Sequence, residues 1–284
     1  IKGRLAVGPA RSGFEGGDGF DAALPAPDGG AVVVHLDDFF LLGAGGIGLG
    51  CSDFIVGAGM AGLACATELS RAGRQFMQFD KGRGPGGRMA SRRIEHEGRT
   101  LRFDHGAQYF TARDQRFQTQ VDEWEQMGVV ARWDTAGKDA WVGTPAMNAP
   151  LKAMSDGLDV RFGTRVEAIE PADGGWQLVG EGTPDARFDT VVVAVPAEQA
   201  APLLSELAPV ASDLAARTVS DPCWTLMVAF ESPVQFQGDT IREDGPIGWA
   251  ARNNSKPGRE SDECWVVQGS PAWSRQHLED DAAS

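Results

Sequence analysis

The chain has no uninterrupted apolar run near the roughly 20 residues that a membrane-spanning helix needs. Its nearest candidate, Phe39 to Cys51, is short, laced with glycine and preceded by Asp37 and Asp38, where a secretory signal would carry basic residues. A soluble protein without an export signal is therefore expected. Cysteine is sparse: Cys51, Cys65, Cys223 and Cys264 include no CxxC pair, which offers neither a metal cluster nor a disulfide frame and points to a reducing, cytoplasmic setting. Basic residues are outnumbered as well. The 26 Lys and Arg against 40 Asp and Glu leave a formal charge of −14, whose field repels phosphate backbones and anionic membrane surfaces. Nucleic acid and membrane are not expected partners. Signatures of hydrolysis are missing too: no GxSxG elbow occurs, and the four histidines (His35, His96, His105, His277) are scattered. Acidic pairs such as Asp37-Asp38 and Asp280-Asp281 read as solvated surface.

What is present is enough for a substantial core. The 284 residues, 42% apolar and 23% charged, suit one large α/β domain or two modest ones and exclude a disordered tail or a fibre. The first 50 residues hold 13 of the 37 glycines and sustain neither a strand nor a helix period, so residues 1–51 read as a disordered or extraneous leader. From Asp53 the character changes. Phe54-Ile55-Val56 predicts a short buried strand, residues 60 to 72 a helix with Leu63, Ala66 and Leu69 on one face and Gly73 as its stop, and Phe76 to Phe79 a second strand ending at Asp80. That is a β-α-β unit. Further on, an amphipathic helix is expected over 114 to 128, with short strands at Val160 to Phe162, Arg165 to Ile169 and Trp176 to Val179, and a continuous strand from Phe188 to Val195. A helical stretch around Ala200 to Ala216 then precedes an antiparallel sheet containing Leu226 to Phe230 and Trp265 to Gln268.

GxGxxG occurs twice, and context separates the copies. Gly43 to Gly48 has no helix after it to aim at a phosphate, and reads as linker. Gly57-Ala58-Gly59-Met60-Ala61-Gly62 has strand, turn and helix in order, with an acid 18 residues beyond Gly62. Gly57 permits the tight turn, Gly59 lets a pyrophosphate approach the backbone, and Gly62 lets helix and strand pack closely, while Met60 and Ala61 open the helix. Asp80 can accept hydrogen bonds from a ribose and disfavours a 2′-phosphate, so FAD or NAD fits better than NADP.

The next stretch, Asp80-Lys81-Gly82-Arg83-Gly84-Pro85-Gly86-Gly87-Arg88-Met89, resembles the second fingerprint of the flavin amine oxidase superfamily. Phe103-Asp104-His105-Gly106-Ala107-Gln108-Tyr109-Phe110-Thr111, the block Gly248 to Arg259 and Trp273-Ser274-Arg275 narrow the likeness to the renalase-like bacterial FAD-dependent oxidoreductases, over roughly residues 53 to 278. The resemblance implies a GR2-type Rossmann-like FAD-binding domain with a second, mixed-sheet substrate or cap domain. It implies FAD contacts at Lys81, Gly87, Arg88, Met89, His105, Gly106, Ala107, Gln108, Val166 and Ala194, besides the glycine turn and Asp80. The FAD-binding domain is expected over 52–110 and 155–200, the cap over 111–154 and 201–284. Relatives continue for roughly another 50 residues past the equivalent of Ser284, so a fragment is expected.

Flavin supplies the hydride acceptor, leaving position, electrostatics and water exclusion to the protein. Among the candidate catalytic residues, His105 is expected to shape the flavin-facing loop, with a general base as the alternative, and Gln108, Tyr109, Trp249, Arg252 and Asn253 are expected on the substrate side; Trp249 reads equally as core. By resemblance the substrate is an isomeric dihydronicotinamide dinucleotide, restored to NAD or NADP with electrons passing to oxygen. Oxidation of an amine or polyamine, which would favour an aromatic cage and acidic groups, stands as the alternative. A catalytically silent nucleotide-binding fragment is the third reading.

Overall fold

The computed structural model describes residues 4–7, 31–36, 39–44, 53–260 and 262–280. The leader reading of residues 1–51 and the linker reading of the first glycine motif fall largely outside them. Of that span, only the strands Arg4–Val7, Ala31–Leu36 and Phe39–Ala44 are described. Among the described residues, no helix is long and apolar enough to cross a membrane. Two compact units form, one from Arg11–Gly87 and Met154–Val219, the other from Ile1–Ala10, Arg88–Ala153 and Ser220–Ser284.

The first unit is a Rossmann-like layer structure. Its six-stranded sheet runs in the order Val160–Phe162, Phe76–Asp80, Asp53–Val56, Thr190–Val193, Phe39–Ala44 and Ala31–Leu36. The first four strands are parallel and the last two antiparallel to their neighbours. Both faces are covered, which is why Asp53–Val56 is buried at every position. Ile55 and Val192 pack with Ala66 of the helix Met60–Arg71. On the other face Phe54, Val56, Val191 and Val193 pack with Ala200, Leu204, Ala211 and Ala215. Phe79 stacks on Phe54 at 4.7 Å. The helix stops where expected: Gly73 has φ of +68°, outside the helical range.

Three expectations change. Phe188 and Val193 do not share one strand: Arg187–Phe188 closes a three-stranded sheet with Ala168–Ala172 and Gly175–Val179, while Thr190–Val193 enters the six-stranded one. Arg165 to Glu167 form a loop and not a strand. The helical stretch is two helices, Ala197–Leu204 and Pro209–Arg217, because a proline opens a helix readily but restricts the residue before it to non-helical angles, as at Ala208.

The second unit holds two four-stranded sheets and a ribbon. Arg4–Val7, Tyr109–Ala112, Trp141–Gly143 and Val130–Arg132 form one sheet, and Thr225–Phe230, Glu263–Gly269, Ile247–Arg252 and Thr240–Asp244 the other. The ribbon pairs Arg92–His96 with Arg99–Phe103. Leu101 and Phe103 of the ribbon pack against Cys264 and Val266, which joins residues 92–103 to this unit. The amphipathic helix is Gln115–Gln126, capped by Asp114, whose side chain accepts from the amides of Arg116 and Phe117.

Candidate functional site

In the first unit the chain leaves Val56 through Gly57 at φ of +105°, where a Cβ would lie 2.4 Å from the Ala194 carbonyl oxygen. Gly62 is equally constrained: a Cβ there would sit 2.0 Å from the Gly57 carbonyl oxygen. Gly59 differs from both, since nothing lies within 4 Å of the Cβ position. The helix Met60–Arg71 has no side-chain cap and no acidic residue in its first turn. Its first amides are therefore available to a bound anion, and the open space at Gly59 lies at the same end. This arrangement fits the paired phosphates of a dinucleotide, with the amides of Met60, Ala61 and Gly62 as donors.

Asp80 serves the turn first. Oδ2 accepts from the Ala58 amide and Oδ1 from the Gly82 amide, each at 2.6 Å. An ionised carboxylate accepts about four bonds, so room remains for a ribose hydroxyl. Gly87 stands over the turn: at its φ of +48°, a Cβ would be 3.3 Å from Gly59 Cα. Thr164 donates its amide to the Asp80 carbonyl at 3.0 Å, bringing the loop that carries Val166 to the strand end. Lys81 Nζ donates to Gln199 Oε1 at 2.7 Å, so its exposed charge is turned towards an amide. Ala194 donates its amide to the Val56 carbonyl at 2.8 Å.

In the second unit Gly106 lets two loops touch. A Cβ there would meet the Arg88 carbonyl oxygen at 2.3 Å, and Ala107 donates its amide to the same oxygen at 2.8 Å. Met89 is buried beside it in the sequence, within the short helix Gly87–Met89. Gln108 braces the loop: Nε2 donates to the carbonyls of Asp104 and Gly106, and Oε1 accepts from Lys256 Nζ at 3.0 Å. Gln268 Nε2 also donates to the Gly106 carbonyl, at 2.9 Å. His105 is half-buried; burial and the Arg92 charge lower its pKa against the opposing pull of Asp104, which favours the neutral ring.

Tyr109 and Trp249 come together at 5.6 Å between ring centroids, and Trp133 meets Trp249 edge-on at 6.4 Å. Two cations lie on these rings: Arg242 at 4.6 Å from the Trp249 centroid and Lys256 Nζ at 5.3 Å from that of Trp133. The indole nitrogens of Trp133 and Trp249 are buried and find no acceptor among the described residues. Arg252 and Asn253 are spent within the fold. Arg252 donates to Asp239 at 2.7 Å, Glu263 at 3.0 Å and the Val234 carbonyl at 2.9 Å. Asn253 accepts from the Asp104 amide and donates to the Arg102 carbonyl.

Three residues to which the sequence assigns no role form the hub of this unit. Asp104 Oδ1 accepts from Ser91 Oγ and the Met147 amide; Oδ2 accepts from Lys256 Nζ at 3.3 Å and from Arg259 Nε and Nη2 at 3.1 and 2.6 Å. Burial pushes the carboxyl pKa up, but Lys256, Arg259 and the Ser91 hydroxyl outweigh it and leave it below the ordinary range. Burial lowers the Lys256 ammonium to about 8, with Asp104 opposing and Arg259 adding to the shift. The signal was the spacing Lys256-Pro257-Gly258-Arg259, two cations close in sequence, but their carboxylate partner lies some 150 positions away.

The sequence pattern of the NAD(P)-binding Rossmann-like domain family matches residues 55–124, and that of flavin containing amine oxidoreductases matches residues 127–277. Among solved structures, a presumptive protoporphyrinogen oxidase of Exiguobacterium sp. 255-15 is similar, with a TM-score of 0.63 at 13% identity, over 82% of this chain and 80% of that one. Wild-type putrescine oxidase bound to putrescine gives 0.57 at 12% identity, over 82% and 78%. An oxidoreductase of Methanosarcina mazei gives 0.51 at 12%, over 80% and 81%. At these identities the structural likeness shows the fold.

Proposed function

Because the chain belongs to the flavin containing amine oxidoreductases, FAD-dependent enzymes, we propose that it oxidises isomeric dihydronicotinamide dinucleotides in preference to amines. FAD, when bound, supplies the acceptor for a hydride and hands the electron pair to oxygen. In this reading the amides of Met60, Ala61 and Gly62 hold the diphosphate and Asp80 accepts from the ribose. Gly87, Arg88, Met89, Val166, Ala194 and the loop from His105 to Gln108 complete the cofactor contacts, with Lys81 at their margin.

The observation that carries the substrate class is the charge on the aromatic group. Tyr109, Trp133 and Trp249 would serve as a cage for a cation, but Arg242 and Lys256 already occupy ring faces there. The nearby carboxylate, Asp104, is bonded to five donors and has no capacity left to neutralise an ammonium. A protonated amine would meet like charge. A flat neutral ring on a phosphate-bearing molecule would meet no such repulsion, and its phosphates would be attracted by both cations. The orphan indole N–H groups suit a carboxamide oxygen. A dihydropyridine ring expels hydride with its own nitrogen lone pair, so the site needs no strong base, in keeping with a neutral His105.

The test is anaerobic: purified protein, yellow with absorbance near 450 nm, is mixed with isomeric dihydronicotinamide dinucleotides or with putrescine, and loss of colour is followed. Bleaching by the dinucleotides and not by the amine is expected. The reverse result establishes the amine reading, which the family description favours.

A further inference from the structure

The strand Phe76–Asp80 lies between two parallel neighbours, and in its middle Gln78 is fully buried. A primary amide there is costly unless bonded, and this one is only half bonded. Nε2 donates to the Gly57 carbonyl at 2.8 Å, while Oε1 is buried without a partner among the described residues. Valine or leucine would fill the position without stranding an acceptor.

What the amide provides is specific to the turn. Gly57 donates its N–H to the Phe79 carbonyl at 2.7 Å, its own carbonyl accepts from Gln78, and the following N–H, that of Ala58, donates to Asp80 Oδ2. Three consecutive residues of one strand thus hold three consecutive polar groups of the turn. Gln78 and Asp80 reach it from one face, since residues two apart in a strand share a side. The planar peptide joining Gly57 to Ala58 is gripped at its oxygen by one and at its nitrogen by the other, so it cannot rotate without breaking a bond. A Cβ at Gly62 would be 2.9 Å from Gln78 Nε2, which puts the amide directly beneath the start of the helix.

We infer that Gln78 is a positioning residue for the FAD diphosphate: with Asp80 it locks the peptide between Gly57 and Ala58 and so aims the open amides of the helix Met60–Arg71. It acts through the turn, from within the sheet. This rests on FAD as cofactor and is independent of which substrate is oxidised.

Two variants remove the bond in opposite ways: Gln78→Met keeps the length and loses the donor, and Gln78→Asn keeps the amide and loses the reach. For each, the FAD dissociation constant is read from flavin fluorescence on titrating FAD-stripped protein, the thermal midpoint from circular dichroism without FAD, and amide exchange from mass spectrometry. Both variants are expected to bind FAD about tenfold more weakly, with faster exchange confined to residues 57–62; the midpoint stays close to that of the parent in Gln78→Met and falls in Gln78→Asn, which strands the amide. A folded variant with parental FAD affinity overturns the inference. So does loss of folding in both, which would make Gln78 an ordinary core residue. If the parent chain binds no FAD, the cofactor assignment and this inference fall together; if it binds FAD but oxidises a different substrate, only the substrate reading falls.

Discussion

Asp104 shows how a buried charge can be structural even when it stands next to residues suited to catalysis. Its five donors leave no lone pair for a ligand, and its partners are themselves buried. Removing one member of such a group costs unequal amounts. Asp104→Asn strands two cations and is expected to lower stability by about 3–5 kcal/mol. Lys256→Met leaves Arg259 holding the carboxylate through two nitrogens and removes the excess positive charge, so its loss should be well below that of Asp104→Asn; urea midpoints of both variants check the order. Lys256 also predicts a pH dependence. Its ammonium gives up its proton at about 8 in the folded chain against an ordinary 10.5, so between those values the unfolded state holds more protons and stability rises with pH. The contribution is complete above 10.5 and lost as pH falls through 8. Urea midpoints at pH 8 and pH 10 should show the rise in the parent chain and a flatter response in Lys256→Met.

At the scale of elements, the dinucleotide turn separates two roles that one motif gives to glycine. Gly62→Ala would drive a Cβ into the Gly57 carbonyl oxygen at 2.0 Å, a clash with backbone that only displacement of the helix relieves. It should lose FAD binding and fold stability together, the latter by about 1–3 kcal/mol. Gly59→Ala meets nothing within 4 Å and has an extended backbone, so the chain should fold as before while FAD binding weakens at least tenfold, because the methyl group fills the space a phosphate would take. Thermal midpoints and FAD titration of the two variants distinguish the roles. This turn was legible in the sequence because its physics is local: strand, glycines, helix face and acid lie within 28 residues. The sheet change at Asp189 was not. Phe188 and Val191 are equally apolar and equally buried, so no periodicity marks where the chain leaves one sheet for another. Nor does local sequence reveal that Arg252 is held by Asp239 and Glu263, or that Asp104, Lys256 and Arg259 converge. Those pairings depend on how strands are ordered, which single-sequence patterns do not encode.

Across the whole molecule, charge at long and short range acts in opposite directions on the proposed substrate. The formal charge of −14 repels a dinucleotide out to about a Debye length, while Arg242 and Lys256 attract it only at close range. Added salt screens the distant repulsion first. For an anionic dinucleotide, kcat/KM should therefore rise about two- to threefold between roughly 20 and 200 mM salt. A cationic amine is drawn by the same distant field, and its kcat/KM should fall over that range. Stopped-flow flavin reduction at low substrate concentration reads the slope directly, and its sign reports the charge of the molecule that reaches the aromatic group without requiring that molecule to be the best substrate. A dinucleotide whose rate falls with salt would mean that the two ring-bound cations, and not the net charge, govern its approach. In that case Arg242→Gln should reverse the slope, since the exposed Arg242 is the more accessible of the two, Lys256 being fully buried.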